Sequence, residues 1–133
     1  MNFKVYIVGD KIKKFYVEAI KEYEKRLSRY CKTKLIQVKD EDKLLKVLSD
    51  KFYKILMSAK GQRISSEELA NKINLFGISG KSDIAIIIGT ENAPYDEKIS
   101  ISPMEMDLGL ATTIVFEQIY RSYRIINNQP YHK

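Results

Sequence analysis

Cysteine is almost absent from this chain. One thiol, Cys31, among 133 residues excludes an internal disulfide and any paired-cysteine metal or redox motif. What remains is a half-buried thiol in a reducing compartment. Histidine is equally scarce, with His132, next to last, standing alone. No Ser/His/Asp set, metal-ligand cluster or obvious carboxylate pair stands out. Long apolar runs are missing too: the longest is far too short to span a bilayer. No basic n-region followed by an apolar h-region opens the chain. A soluble, cytoplasmic protein is therefore expected. Neither GxGxxG nor the full GxxxxGK[ST] phosphate loop occurs, so the usual nucleotide fingerprints are absent. There is no internal repeat, low-complexity segment or linker.

What is present is ordinary globular material. Apolar residues make up 44% and charged residues 30%, the balance of a folded domain rather than a disordered one. Residues 1–133 fit one domain with one real core. The net charge of +6 suits a polyanionic partner without establishing one.

Hydrophobic period supplies the fold class. Residues 3–8, "FKVYIV", read as a strand ended by Gly9-Asp10. Residues 11–30 carry Phe15, Ala19, Tyr23 and Leu27 on one helical stripe. Strands are expected at 33–38 and 52–57, with a short helix at 42–49 between them. Ser65 followed by Glu68 has the form of a helix start, and that helix should run to about Phe76, stopped by Gly77 and Gly80. Residues 83–88, "DIAIII", are nearly all apolar, which predicts a central strand covered on both faces. A loop at 89–98, an extended segment at 99–106 and a final helix at 110–126 complete the chain. Such alternation predicts an α/β fold with a mostly parallel sheet covered on both faces.

Ligands of open α/β sheets sit beyond the carboxyl ends of the strands. Three such ends stand out: Met57-Ser58 with Gly61, the loop Gly89-Thr90-Glu91-Asn92, and residues 101–106. The basic residues Lys11, Lys13, Lys14, Lys21, Lys25, Arg26 and Arg29 crowd the first helix. Glu18, Glu22 and Glu24 among them make a solvated face with i,i+4 pairs; an RNA-facing patch is the alternative. Arg121 and Arg124 in the last helix carry the same two readings.

Three stretches together resemble a known family. "EYEKRLSRYCK" (22–32), "GQRISSEELA" (61–70) and "EQIYRSYRIINNQPYHK" (117–133) are similar to the RlmH family, SPOUT-class methyltransferases acting on a pseudouridine of 23S rRNA. "VGD" at 8–10 fits as well. The resemblance implies a C-terminal trefoil knot, a homodimer and bound S-adenosylmethionine. It assigns the cofactor pocket to Met57, Gly89, Ile101, Ser102, Pro103, Met104, Glu105 and Met106. It assigns the substrate side to Tyr131 and His132, near the dimer interface, with Arg121 and Arg124 as phosphate contacts. The N3 proton of a pseudouridine must leave before or during attack on the methyl group, and an imidazole with pKa of about 6.5 can accept it.

The chain departs from the family pattern at defined places. Thr90 replaces the second glycine of a Gly-Gly pair, and the following loop is shorter by roughly two helical turns. "DLGLAT" (107–112) puts Leu108 and Thr112 where the family has histidine and arginine. Glu105 stands where a small neutral residue is common. Two other readings therefore stay open: a divergent knotted paralogue with another RNA substrate or no catalysis, and a non-catalytic RNA-binding dimer.

Overall fold

The computed structural model describes residues 1–131. The elements follow as β1 (Asn2–Val8), α1 (Lys14–Leu27), β2 (Lys32–Val38), α2 (Glu41–Val47), β3 (Tyr53–Arg63), α3 (Ser66–Ser79), β4 (Asp83–Ile88), β5 (Glu97–Ser100) and α4 (Leu108–Ile126). The strands form one sheet in the order β2-β1-β4-β3-β5, and all four pairings are parallel. Central β4 is buried from Ile84 to Ile88, as its unbroken apolar run requires.

Side-chain alternation divides the interior into two cores. Phe3, Val5 and Ile7 of β1 join Ile84, Ile86 and Ile88 of β4 on one face. There they meet Ile20 and Leu27 of α1, Ile73 and Phe76 of α3, and Val115, Phe116 and Ile119 of α4. Each of the α4 side chains is essentially fully buried, which stabilises by roughly 1.5–3 kcal/mol apiece. On the opposite face Tyr6, Val8, Leu56, Ala85 and Ile87 pack under Leu44, the one buried residue of α2. Three helices thus cover the first face. A single two-turn helix covers part of the second, less cover than the alternation suggests.

Local chemistry sets the helix ends. Ser65 and Glu68 make a capping box, with Glu68 N–H donating to Ser65 Oγ at 3.1 Å and Ser65 N–H to Glu68 Oε1 at 2.9 Å. Gly80 closes α3 with φ +81°, so the helix passes through Gly77, beyond the expected stop at Phe76.

Boundaries on the β3–β5 edge differ from expectation too, and β5 ends at Ser100, short of the extended run expected to 106. β3 continues past Met57 to Arg63, because Met57 and Gln62 both align with Ile99 of β5 around an irregular stretch. A Cβ on Gly61 would lie 2.7 Å from the Ile99 carbonyl carbon, so glycine lets the two backbones close up. β5 begins at Glu97, inside the expected loop. It is fixed there by Lys54 N–H donating to Asp96 Oδ2 at 2.7 Å and by a 2.8 Å ion pair of Lys72 with Glu97.

Candidate functional site

A cleft of about 830 Å³ opens where β1 and β4 end in Val8 and Ile88, beside Met57 in the middle of β3. Its walls come from residues 8–13, 57–60, 88–92, 101–102 and 104–108, with Glu41 at the start of α2 and Ala111 of α4. Seven of the eight cofactor-pocket candidates line it: Met57, Gly89, Ile101, Ser102, Met104, Glu105 and Met106. Pro103 belongs to the same segment, is exposed, and does not line the cleft.

Glycine is required at the floor of the cleft for a reason internal to the fold. Gly89 adopts φ +101°, and a Cβ there would lie 2.3 Å from the Val8 carbonyl oxygen. The same Cβ would meet Leu108 Cδ1 at 3.1 Å, while one on Gly9 (φ +140°) would meet Leu108 Cδ2 at 3.3 Å. Leu108 therefore sits across both glycine turns. Thr112, one turn on, is fully buried and donates its hydroxyl to the Leu108 carbonyl at 2.7 Å. The two positions that lack the family's histidine and arginine are a packed floor and a helix-internal hydroxyl.

Hydrogen bonds hold the walls. Thr90, buried, donates its hydroxyl to Glu41 Oε1, which also accepts from Asn92 Nδ2 at 3.3 Å. Ser58 Oγ donates to Glu91 at 2.6 Å, tying the loop after β4 to β3. In the third wall Met104 N–H donates to Ser102 Oγ at 3.1 Å, and Ser100 Oγ to the Ser102 carbonyl at 2.8 Å. Asp107 caps α4 through Gly109 and Leu110 N–H at 3.0 and 3.3 Å. Glu41, Glu91 and Asp107 are thereby occupied by neutral donors. Asp10 and Glu105 line the cleft with no side-chain hydrogen bond or ion pair among the described residues, and Lys11, Lys13 and Lys60 line it too. Among the described residues no three His, Cys, Asp or Glu side chains converge on a metal site, and no helix is long and apolar enough to cross a membrane.

The segment ending at Tyr131 lies elsewhere on the same chain. Its Tyr131 hydroxyl donates to Glu117 Oε2 at 2.8 Å. Its ring stands edge-on to Tyr120 at 5.0 Å, with the Arg121 guanidinium 4.8 Å from its centroid. Burial, and then the Glu117 hydrogen bond, push its phenol above the usual range, so it stays protonated at neutral pH. Arg121 pairs with Glu117 at 3.0 Å. Arg124 donates to the Pro130 carbonyl at 3.0 Å and to Tyr30 Oη at 3.4 Å, and Tyr30 in turn donates to Gln129. Neither arginine lines the cleft, nor does Tyr131. Glu117 is nine residues into α4, about 14 Å along the helix from Leu108. His132 lies outside the described residues.

Sequence reasoning marked the loop 89–92 and Met57-Ser58 but missed Glu41. Its partner Thr90 is 49 positions away, a distance no local pattern bridges.

The chain matches, over residues 1–132, the family described as "Predicted SPOUT methyltransferase". It belongs to the SPOUT methyltransferase family. Among curated relatives, "Ribosomal RNA large subunit methyltransferase H 1" of Thermoanaerobacter sp. (strain X514) is 56% identical over the full length of both chains. A putative enzyme of the same name from Methanococcus maripaludis is 40% identical, and one from Acetivibrio thermocellus 35%, again covering all of both chains. Both of these alignments run to 159 positions against 133 residues here, so 26 fall opposite gaps in this chain. The Thermoanaerobacter alignment runs to 133 positions and shares the short form.

Proposed function

We propose that this chain methylates N3 of a pseudouridine in 23S rRNA of the large ribosomal subunit. It acts in the cytoplasm as an S-adenosylmethionine-dependent homodimer with a C-terminal trefoil knot. One observation carries the reading: Met57, Gly89, Ile101, Ser102 and residues 104–106, drawn from separate parts of the sequence, line a single cleft at the carboxyl end of the sheet.

The cleft suits the cofactor in size and chemistry. Its volume falls within the range of about 300–1,000 Å³ common for small-molecule sites. Met57, Ile101, Met104 and Met106 offer apolar walls, and the uncommitted Asp10 and Glu105 carboxylates favour a cation. Bound S-adenosylmethionine would supply a methyl group on a positively charged sulfur. Methyl transfer forms the N3–carbon bond, breaks the carbon–sulfur bond and releases the N3 proton. His132 accepts that proton. Tyr131, its one proton donated to Glu117, orients the base as a hydrogen-bond acceptor. Cleft and Tyr131 stand apart on one chain, so the carboxyl-terminal tail of a second copy completes each cleft. Holding nucleophile and methyl in line supplies much of the rate.

The test is transfer of tritiated methyl groups to ribosomes lacking the modification, alongside calorimetry with S-adenosylhomocysteine. Micromolar binding and transfer by wild type are expected, with His132→Ala much slower. Binding without transfer to any ribosomal substrate overturns the rRNA assignment; no binding overturns the cofactor as well.

A further inference from the structure

Parallel sheets are ordinarily covered on both faces, yet the amino-terminal half of the second face carries lysines. In register, Lys34 of β2 lies beside Lys4 of β1, Lys4 beside Ala85 of β4, and Ala85 beside Lys54 of β3. Three lysines thus cross four strands in one row. They point to the same side as Ile36, Tyr6 and Leu56, two residues further on, which pack in the core under α2. The step between the rows is about 6.6 Å. Lys32 flanks the row on β2. Lys32 and Lys34 are exposed, Lys4 and Lys54 half-buried. Among the described residues none of the four forms an ion pair. Lys4 Nζ instead sits 4.9 Å from the Phe52 ring centroid, and Lys54 Nζ donates to the Phe52 carbonyl at 3.0 Å.

Lysines on an edge strand block unwanted sheet pairing, which accounts for Lys32 and Lys34 on β2. It does not account for Lys4 and Lys54, because β1 and β3 are interior strands. Like charges side by side across strands destabilise a sheet, and adjacent strands lie only about 4.8 Å apart. The wider charge distribution points the same way. Residues 11–39, which form α1 and the β2 edge, hold ten Lys and Arg against three Glu, while the rest of the chain has thirteen against fourteen acids. That surplus lies toward the β2 edge, where the row begins, most of it on α1 across the opposite face of the sheet.

We infer that the Lys34–Lys4–Lys54 row, flanked by Lys32, seats backbone phosphates of the RNA substrate, away from the cleft. Charge complementarity selects the occupant: a phosphate backbone relieves the mutual repulsion of the lysines and releases its own counterions. Phe52 adds an apolar surface between two of the cations. That the polyanion is rRNA rests on the function proposed above.

The experiment compares wild type with the triple variant Lys4→Gln, Lys34→Gln, Lys54→Gln. A control of equal net charge carries Lys25→Gln, Arg63→Gln and Lys81→Gln, exposed positions off the row. Binding to a 23S rRNA fragment is followed across salt, with methyl transfer and S-adenosylhomocysteine calorimetry in parallel. The triple variant should flatten the plot of log affinity against log salt by about 2–3, at about 0.9 for each phosphate no longer neutralised. At moderate salt it should bind at least tenfold more weakly, raising KM while kcat and cofactor affinity stay within twofold. Lys34→Gln alone, exposed and neutral to folding, should flatten the plot by about 0.9. An unchanged slope, an equal loss in the control, or row-dependent binding to an acidic protein with rRNA binding intact overturns the inference. If wild type binds rRNA through the row but transfers no methyl group, the surface stands and the catalytic reading falls. With normal transfer and an unchanged slope, the catalytic reading stands and the surface falls.

Discussion

Three glycines allow the cleft floor to be tested one physical term at a time. Gly77 lies inside α3 with negative φ and open space around its missing Cβ. Gly77→Ala should therefore stabilise by about 0.5–1 kcal/mol, through helix propensity and a less flexible unfolded chain. Gly80 has φ +81° and equally open surroundings, so Gly80→Ala isolates the left-handed backbone cost, about 1–2 kcal/mol. Gly89 combines φ +101° with a Cβ position 2.3 Å from the Val8 carbonyl oxygen. Relief there needs the ends of β1 and β4 to part by more than half an ångström, against neighbours packed on both sides. Strain and overpacking together should cost about 3–5 kcal/mol. For a chain of this size, about 3–4 °C is lost per kcal/mol, so Gly89→Ala should lower Tm by roughly 10 °C or more. Scanning calorimetry on the three variants gives the ordering Gly77→Ala above wild type, then Gly80→Ala, then Gly89→Ala. Cofactor affinity, measured below all melting points, should fall for Gly89→Ala alone. A Gly89→Ala protein melting with Gly80→Ala would refute the claim that Val8 and Leu108 dictate this glycine.

Further outcomes follow from other parts of the molecule. Burial pushes the Cys31 thiol up from its ordinary value near 9 to about 11. The folded state thus holds the neutral form, so its contribution is complete below pH 9 and is lost as pH rises from about 9 to 11. It amounts to at most about 2.7 kcal/mol. Urea melts at pH 8 and 10 should show less pH dependence for Cys31→Ala than for wild type, and a thiol reagent should label native Cys31 slowly at pH 8. Ser65→Ala removes one half of the capping box and should cost about 1 kcal/mol by denaturant titration. Tyr131→Phe loses the Glu117 hydrogen bond, costing about 1 kcal/mol, and should slow methyl transfer to ribosomes without changing S-adenosylhomocysteine affinity. Wild-type rates in that variant would remove Tyr131 from the substrate side.

Strand and helix order was legible wherever one residue's burial follows a fixed period. "DIAIII" reads as a central strand because five successive positions are apolar, and "SSEE" reads as a helix start because its bonds are local. β3 beyond Met57 was not legible: residues 58–63 have no alternation, and what holds them extended is Ile99, about forty positions later. Gly61 was the one local trace of that close approach. The cleft candidates came from family resemblance and strand-end position. Glu41, which fixes Thr90, and the lysine row depend on register between distant strands, which composition does not encode. The cis contacts of the tail, Tyr131 with Glu117 and Arg124 with Pro130, likewise join residues whose pairing becomes evident only once α4 is folded.

The slender cover on the second face shapes how the molecule comes apart. A seven-residue helix has little stability of its own, and α2 is anchored through one buried leucine, a long Tyr6 hydrogen bond at 3.5 Å and the Glu41 tie. On warming, that flap should lift before the three-helix side loosens, baring Tyr6, Ile36, Leu56 and Ile87 while the rest keeps its shape. The earliest sticky species is then a nearly native one, and clumping starts from that bared patch well before the main melt.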